Sequence, residues 1–185
     1  MSKVEQNILS ITKLSIGYGS KTVANNINFD LEAGMLCGVV GINGIGKSTL
    51  LRTLAGFQPK LSGNILLHGK PLEKYTSNTL SKELSVVLTE QPASKNITVQ
   101  ELIALGRQPY TNWLGSLTKE DKQQIEASLD AFLLNELRNN KCHELSDGQL
   151  QRVLVARAMA QDTSLILLDE PTTHLDLFHK VQILK

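Results

Sequence analysis

Between residues 8 and 31 apolar and polar side chains alternate in short stretches, most clearly at Ile27, Phe29 and Leu31. A period of two puts one face of a segment inside and the other outside, so this region is expected to form half-buried antiparallel strands. The pattern then changes. "MLCGVV", Met35 to Val40, is a near-continuous apolar run of the kind found in a fully buried parallel strand, and Cys37 falls within it as a small core residue. A glycine-rich turn follows, and then "KSTLLRTLAG", a helix that Gly56 terminates at C′. "SGNILLHGK" predicts a strand and a turn at Gly69, and "LSVVLTEQ" a second buried strand.

From Pro92 to Leu145 helical punctuation takes over. Thr98 with Glu101, and Thr118 with Asp121, have the spacing of capping boxes, in which two side chains satisfy orphan amides at a helix start. The second precedes a helix expected to carry Ile125, Leu129, Phe132, Leu133 and Leu137 on one face. "GRQPYTNWLGSL" between them is loop-like and holds the only tryptophan, Trp113. Ser146 with Gln149 repeats the capping spacing ahead of a helix from Gln149 to about Ala160, followed by the buried strand "LILLD" and a further helix from about Leu177. The order is that of an α/β protein: an α/β core over 1–91 and 147–185, with a helical subdomain over 92–146 inserted into it.

Bulk composition narrows the class rather than the function. The chain has 185 residues, 41% of them apolar, and a net charge of +1. That balance speaks against nucleic acid as a partner, since such domains are usually clearly basic. The apolar runs are too short to span a bilayer, and "MSKVEQNILS" lacks the features of a secretory signal. Cys37 and Cys142 make no metal-type spacing, which fits a reduced cytoplasmic setting.

Chemistry enters at "GINGIGKST", Gly41 to Thr49, which matches G-x-x-x-x-G-K-[ST] at Gly41, Gly46, Lys47 and Ser48. Glycines let successive amides point inward, and a helix N-terminus adds a positive dipole end, so the loop suits phosphate. Lys47 would reach the β- and γ-phosphates of a nucleotide, and the Ser48 hydroxyl would ligate Mg²⁺. "LILLDE" supplies acids: Asp169 to orient the Mg²⁺ shell and Glu170 to polarise an attacking water.

With these residues in this order the chain closely resembles the nucleotide-binding domains of ABC transporters, which are α/β P-loop NTPases with an N-terminal antiparallel β subdomain. "GINGIGKST" resembles the Walker A motif, with Gly41, Asn43, Gly44, Gly46, Lys47, Ser48 and Thr49 as its ATP-binding positions, and "LILLDE" resembles Walker B. "LSDGQ" looks like the signature motif, Gln91 like the Q-loop glutamine that reaches the metal, "THLD" ending at Asp176 like the D-loop, and Tyr18 like the aromatic that stacks on adenine. The resemblance implies an ATPase working as a head-to-tail homodimer, with ATP held by the Walker A of one subunit while Ser146, Gly148 and Gln149 of the other approach its γ-phosphate. It implies catalysis by Glu170, Gln91 and Lys47, and a cytoplasmic location on the inner face of the membrane, through permease subunits served by a substrate-binding protein. "LIALGRQPYTNWLG" is similar to ATPases of iron-siderophore, haem and cobalamin importers.

Two departures qualify the resemblance. The signature position that most members fill with glycine is Asp147, whose carboxylate is expected to point away from a bound phosphate. The family's H-switch histidine has no counterpart: His68, His143, His174 and His179 all sit in other contexts. The expectation is therefore a shortened form of a longer ATPase that binds nucleotide but turns it over poorly. Two alternatives stand beside the transport motor. One is a non-transport ATPase of the same superfamily, acting in DNA repair or on ribosomes. The other is a nucleotide-binding module with impaired catalysis.

Overall fold

The computed structural model describes residues 7–88 and 96–170. The chain divides into two compact units, over 1–80 and 81–185. Gln91, His174, Asp176, His179 and the helix expected from about Leu177 lie outside the described residues.

The first unit holds strands β1 (Asn7–Tyr18), β2 (Lys21–Glu32), β3 (Ser62–Leu67) and β4 (Lys70–Pro71), with helices α1 (Lys47–Leu54) and α2 (Ser77–Leu80). The four strands make one antiparallel sheet in the order β2-β1-β3-β4. The period-two pattern does what the sequence predicts: Ile27, Phe29 and Leu31 on β2 are half-buried, with exposed Asn28 and Asp30 between them. β1, between two neighbours, buries Leu9, Ile11, Leu14 and Ile16 almost completely. Two-residue turns close β1 to β2 and β3 to β4. At the second, His68 and Gly69 both take positive φ, which suits the twist of a tight hairpin.

α1 buries Leu50 and Leu54 and ends as the sequence predicts, with Gly56 in the left-handed region at φ 76°. The Phe57 amide reaches back to the Arg52 carbonyl and the Gly56 amide to that of Thr53, the paired bonds of a Schellman motif.

The segment over 35–40 departs from expectation. It forms no strand, and Leu36, Val40 and Cys37 are exposed. Cys37 is thus not a core residue. A buried parallel strand takes its hydrogen bonds and its cover from strands on both sides, and the antiparallel sheet of this unit does not include 35–40.

The second unit contains β5 (Leu84–Val87), α3 (Val99–Ala104), α4 (Lys119–Ala131), α5 (Asp147–Ala160) and β6 (Leu165–Leu168). β5 and β6 pair in parallel from Leu84 with Leu165 to Val87 with Leu168. Their crossover passes through the helices, as a parallel pair requires. α5 is apolar on most sides, burying Leu150, Val153, Leu154, Val155, Ala156, Ala158 and Ala160. It packs with Val99, Leu102 and Ile103 of α3 and Ile125 and Leu129 of α4 in one core. The capping boxes expected at Thr98, Thr118 and Ser146 all form. The loop-like stretch after α3 begins as a 3-10 turn over 105–110, and Trp113 beyond it is 91% exposed.

The α4 face is shorter than expected. The helix stops at Ala131, and Leu133 is not on its buried face but 61% exposed, with φ at 52°. The Leu134 amide returns to the Leu129 carbonyl, so Leu134 is drawn into the core in its place. Leu133 therefore occupies the C′ position that glycine usually fills, where a Cβ costs about 1–2 kcal/mol. Leu133→Gly should stabilise the protein by about 0.5–1 kcal/mol, the gain being trimmed by glycine's freedom in the unfolded chain. A urea unfolding midpoint that moves down instead would contradict the strain.

Candidate nucleotide site

The phosphate loop runs from Gly41 into the first turn of α1. Gly44 and Gly46 take φ of 79° and 110°, so the backbone reverses at positions where side chains are strained. Gly46 is also held by contact, because a Cβ there would stand 2.5 Å from Cγ1 of Val23. The loop is tied internally: the Lys47 ammonium donates to the carbonyls of Gly41 (2.8 Å) and Ile42 (3.1 Å). An ammonium carried back over the loop mouth stands where an anion's negative charge would be compensated.

α1 differs from α3, α4 and α5 at its start. Its N-cap is Gly46, with no side-chain cap and no acidic residue in the first turn. The amides that other helices satisfy with Thr or Ser are left for an external acceptor, and a phosphate is the fitting one. Ser48, on the same turn, is exposed. Thr49 is buried, and its hydroxyl lies 3.3 Å from the Tyr18 hydroxyl. Tyr18 closes β1 with half its surface exposed. The bond to Thr49 ties this aromatic side chain to the phosphate helix, a link that spacing along the chain does not reveal. Asn43 is exposed within the loop.

In the second unit, the ladder of β5 and β6 continues one residue past β6 through the Asp169 amide to the Val87 carbonyl. This places Asp169 at the strand's end, 4% exposed, and no described residue hydrogen-bonds its carboxylate. A buried carboxylate without a donor suits a cation, and Mg²⁺ prefers a few carboxylate or hydroxyl oxygens completed by phosphates and water. Asp169 is of the residue type such an ion takes, and in the first unit so is Ser48. Glu170 follows, exposed and with φ at 50°. A non-glycine residue in that region carries backbone strain of the kind that collects at functional positions.

Ser146 caps α5. Its hydroxyl oxygen accepts from the Gln149 amide at 3.3 Å, while Oε1 of Gln149 accepts from the Ser146 amide at 2.9 Å. The box uses acceptors only. The Ser146 hydroxyl hydrogen and the Gln149 side-chain amide hydrogens donate to no described residue. Asp147 is exposed in the first turn, where the helix dipole favours its charge.

These features meet a family description. The family model for the ABC transporter matches residues 24–173, from β2 through α5 and past Glu170. The chain belongs to the ABC transporter family. Among curated relatives it is 37% identical to the achromobactin transport ATP-binding protein CbrD of Dickeya dadantii over 172 residues, covering 93% of this chain and 64% of the relative. It is likewise 37% identical to the iron(3+)-hydroxamate import ATP-binding protein FhuC of Bacillus subtilis over 179 residues, covering 97% of this chain and 66% of that one. The chain thus spans about two thirds or less of these relatives' lengths. A solved nucleotide-free ATP-binding cassette from an ABC transporter superposes with a TM-score of 0.82 over 96% of this chain and 74% of its own, at 22% identity, which speaks for the fold alone.

The loop makes a direct prediction. Gly46→Ala would force a side chain into a φ of 110° and against Val23, so affinity for an ATP analogue should fall by roughly tenfold or more while the circular dichroism of the fold is kept. Unchanged affinity in a titration would show that the loop does not hold phosphate.

Proposed function

We propose that this protein is the ATP-binding and hydrolysing motor subunit of an importer for iron-siderophore, haem or cobalamin-type substrates. The observation that carries the reading is the phosphate loop, where a glycine-curled backbone meets an uncapped helix start with Lys47 folded over it. Curated relatives named for achromobactin transport and iron(3+)-hydroxamate import support the substrate class.

In this reading Lys47 leaves the Gly41 and Ile42 carbonyls for the β- and γ-phosphates, and the α1 amides and those of the loop take the phosphate oxygens. Tyr18 stacks on adenine. Ser48, Asp169 and Gln91 would hold Mg²⁺, which would supply positive charge to the phosphates. Glu170 accepts a proton from the attacking water. The core is the part over 1–91 and 147–185, and the helical subdomain over 92–146 transmits its motion.

Closure needs a second copy. Ser146, Gly148 and Gln149 of one subunit face the γ-phosphate held by the other, with Asp147 turned aside and Asp176 at the shared boundary. The capping box supports this, because its acceptors are satisfied within α5 and its unused donors are what an anion requires. Among the described residues no helix is long and apolar enough to cross a membrane. In this reading the protein is attached to the inner face of the membrane through permease subunits, which a substrate-binding protein serves.

Two substitutions test the assignment. Lys47→Ala should weaken binding of ATP itself. Glu170→Gln should leave binding intact, lower turnover by about 10²-fold or more and favour an ATP-bound dimer. A Glu170→Gln protein that hydrolyses ATP at the unaltered rate overturns the role of Glu170.

A further inference from the structure

The buried arginine of the second unit has no part in the chemistry above, yet it holds the far end of the signature helix. Arg107, 5% exposed, lies in the 3-10 turn after α3. Its Nε donates to Oδ1 of Asp121 at 2.8 Å, and its Nη1 donates to the carbonyls of Ala160 (2.9 Å) and Gln161 (3.3 Å). Those two carbonyls are at the last turn of α5, where a helix leaves acceptors unsatisfied. Asp121 is the third residue of α4 and the partner of Thr118 in its capping box, and its Oδ2 takes the amide and the hydroxyl of Thr118. Burial works against the Asp121 carboxylate, but the Thr118 amide, the guanidinium and the Thr118 hydroxyl outweigh it and hold the group below the usual aspartate range. One planar fork therefore joins three elements: its own turn, the start of α4 and the end of α5.

Other contacts fix this joint in place. The Tyr110 ring covers the guanidinium 4.0 Å from Cζ. Gly106 lies so close to α5 that a Cβ would stand 2.3 Å from the Arg157 carbonyl oxygen. Gln161, whose carbonyl Arg107 holds, donates its side-chain amide to the carbonyls of Ser81 and Leu84 at the entry to β5. The end of α5 is thus pinned to the helices on one side and to the parallel strands on the other.

We propose that Arg107 is a positioning residue for the signature end of α5. A helix transmits an axial shift along its length, so a change at Ala160 appears at Ser146 and Gln149. A displacement of about 1 Å at a reacting site can cost about 10²-fold in rate. Arg107 touches no nucleotide and acts only through α5. This rests on the reading that the signature motif completes the ATP site of a second subunit. It therefore carries a consequence that a merely structural ion pair lacks: the defect appears in the partner's site, not in its own.

The test uses Arg107→Lys in the full-length protein, which keeps a cation for Asp121 but loses the fork that spans carboxylate and carbonyls. Affinity of the isolated subunit for a fluorescent ATP analogue should stay within about twofold, since the Walker A loop is untouched, while turnover falls by about tenfold or more. Mixing this variant with Lys47→Ala should restore turnover well above either alone. One site of the mixed dimer then has an intact loop from the first subunit and an intact signature end from the second. Ser146→Arg mixed with Lys47→Ala is the control. If the control regains activity and the Arg107→Lys mixture does not, the positioning role is overturned and the paired-site reading stands. If neither mixture regains activity, the paired-site reading falls and the positioning role with it. Should Arg107→Lys fail to fold, Asp121→Asn, of the same shape, takes its place with a smaller effect in the same direction. Loss of nucleotide affinity in step with loss of thermal stability also overturns the proposal.

Discussion

Every helix begins with amides that its own turns cannot satisfy. Here α3, α4 and α5 meet that demand with capping boxes built on Thr98, Thr118 and Ser146. α1 does not: its first turn opens from a left-handed glycine with no side chain in reach. The contrast divides structural helix starts from a binding one. Where amides are answered locally the chain is closed and packed, and where they are left open Lys47 waits over the loop. The reading of the protein as a nucleotide motor depends on that open end more than on any other feature.

At the start of α5 the cap leaves side-chain donors unused among the described residues. Ser146 and Gln149 exchange acceptors and keep donors, so the bonds that start α5 leave the groups that the proposed paired site calls on. The other end of α5 is tied with equal care, by a buried guanidinium shared between a carboxylate and two carbonyls. A buried charge pair of this kind is weak evidence of net stability, and what the geometry shows is the arrangement that it joins. The sheet end supplies the acids: β6 needs β5 to bury Asp169, and the next residue turns out at positive φ.

Much of this was legible from residue patterns, for identifiable reasons. Period-two alternation marked β2 because one face is half-buried and the other wet. Thr-x-x-Glu, Thr-x-x-Asp and Ser-x-x-Gln marked three helix starts because the bonds are local. The unreadable parts depend on distant partners or on a missing cue. The apolar run over 35–40 has strand composition, yet burial is conferred by neighbours and not by composition. Leu133 hid the end of α4, because the C′ position is usually announced by a glycine and here is not. Arg107 looked like part of a polar loop; only the fold brings Asp121 and the end of α5 to it. The bond between Tyr18 and Thr49 is the same case, joining a strand end to a helix 31 residues on.

The central claim is that one copy's open phosphate loop is completed by the capped signature end of another. Cysteine cross-linking between two differently marked copies tests it most directly. One copy would carry Ile42→Cys, at an exposed loop position, and the other Asp147→Cys, with the exposed Cys37 replaced by serine and the buried Cys142 left in place. Paired sites predict a disulfide between the two copies that forms with ATP and is scarce without it. A cross-link of equal yield with and without nucleotide, or none with ATP bound, would contradict the claim.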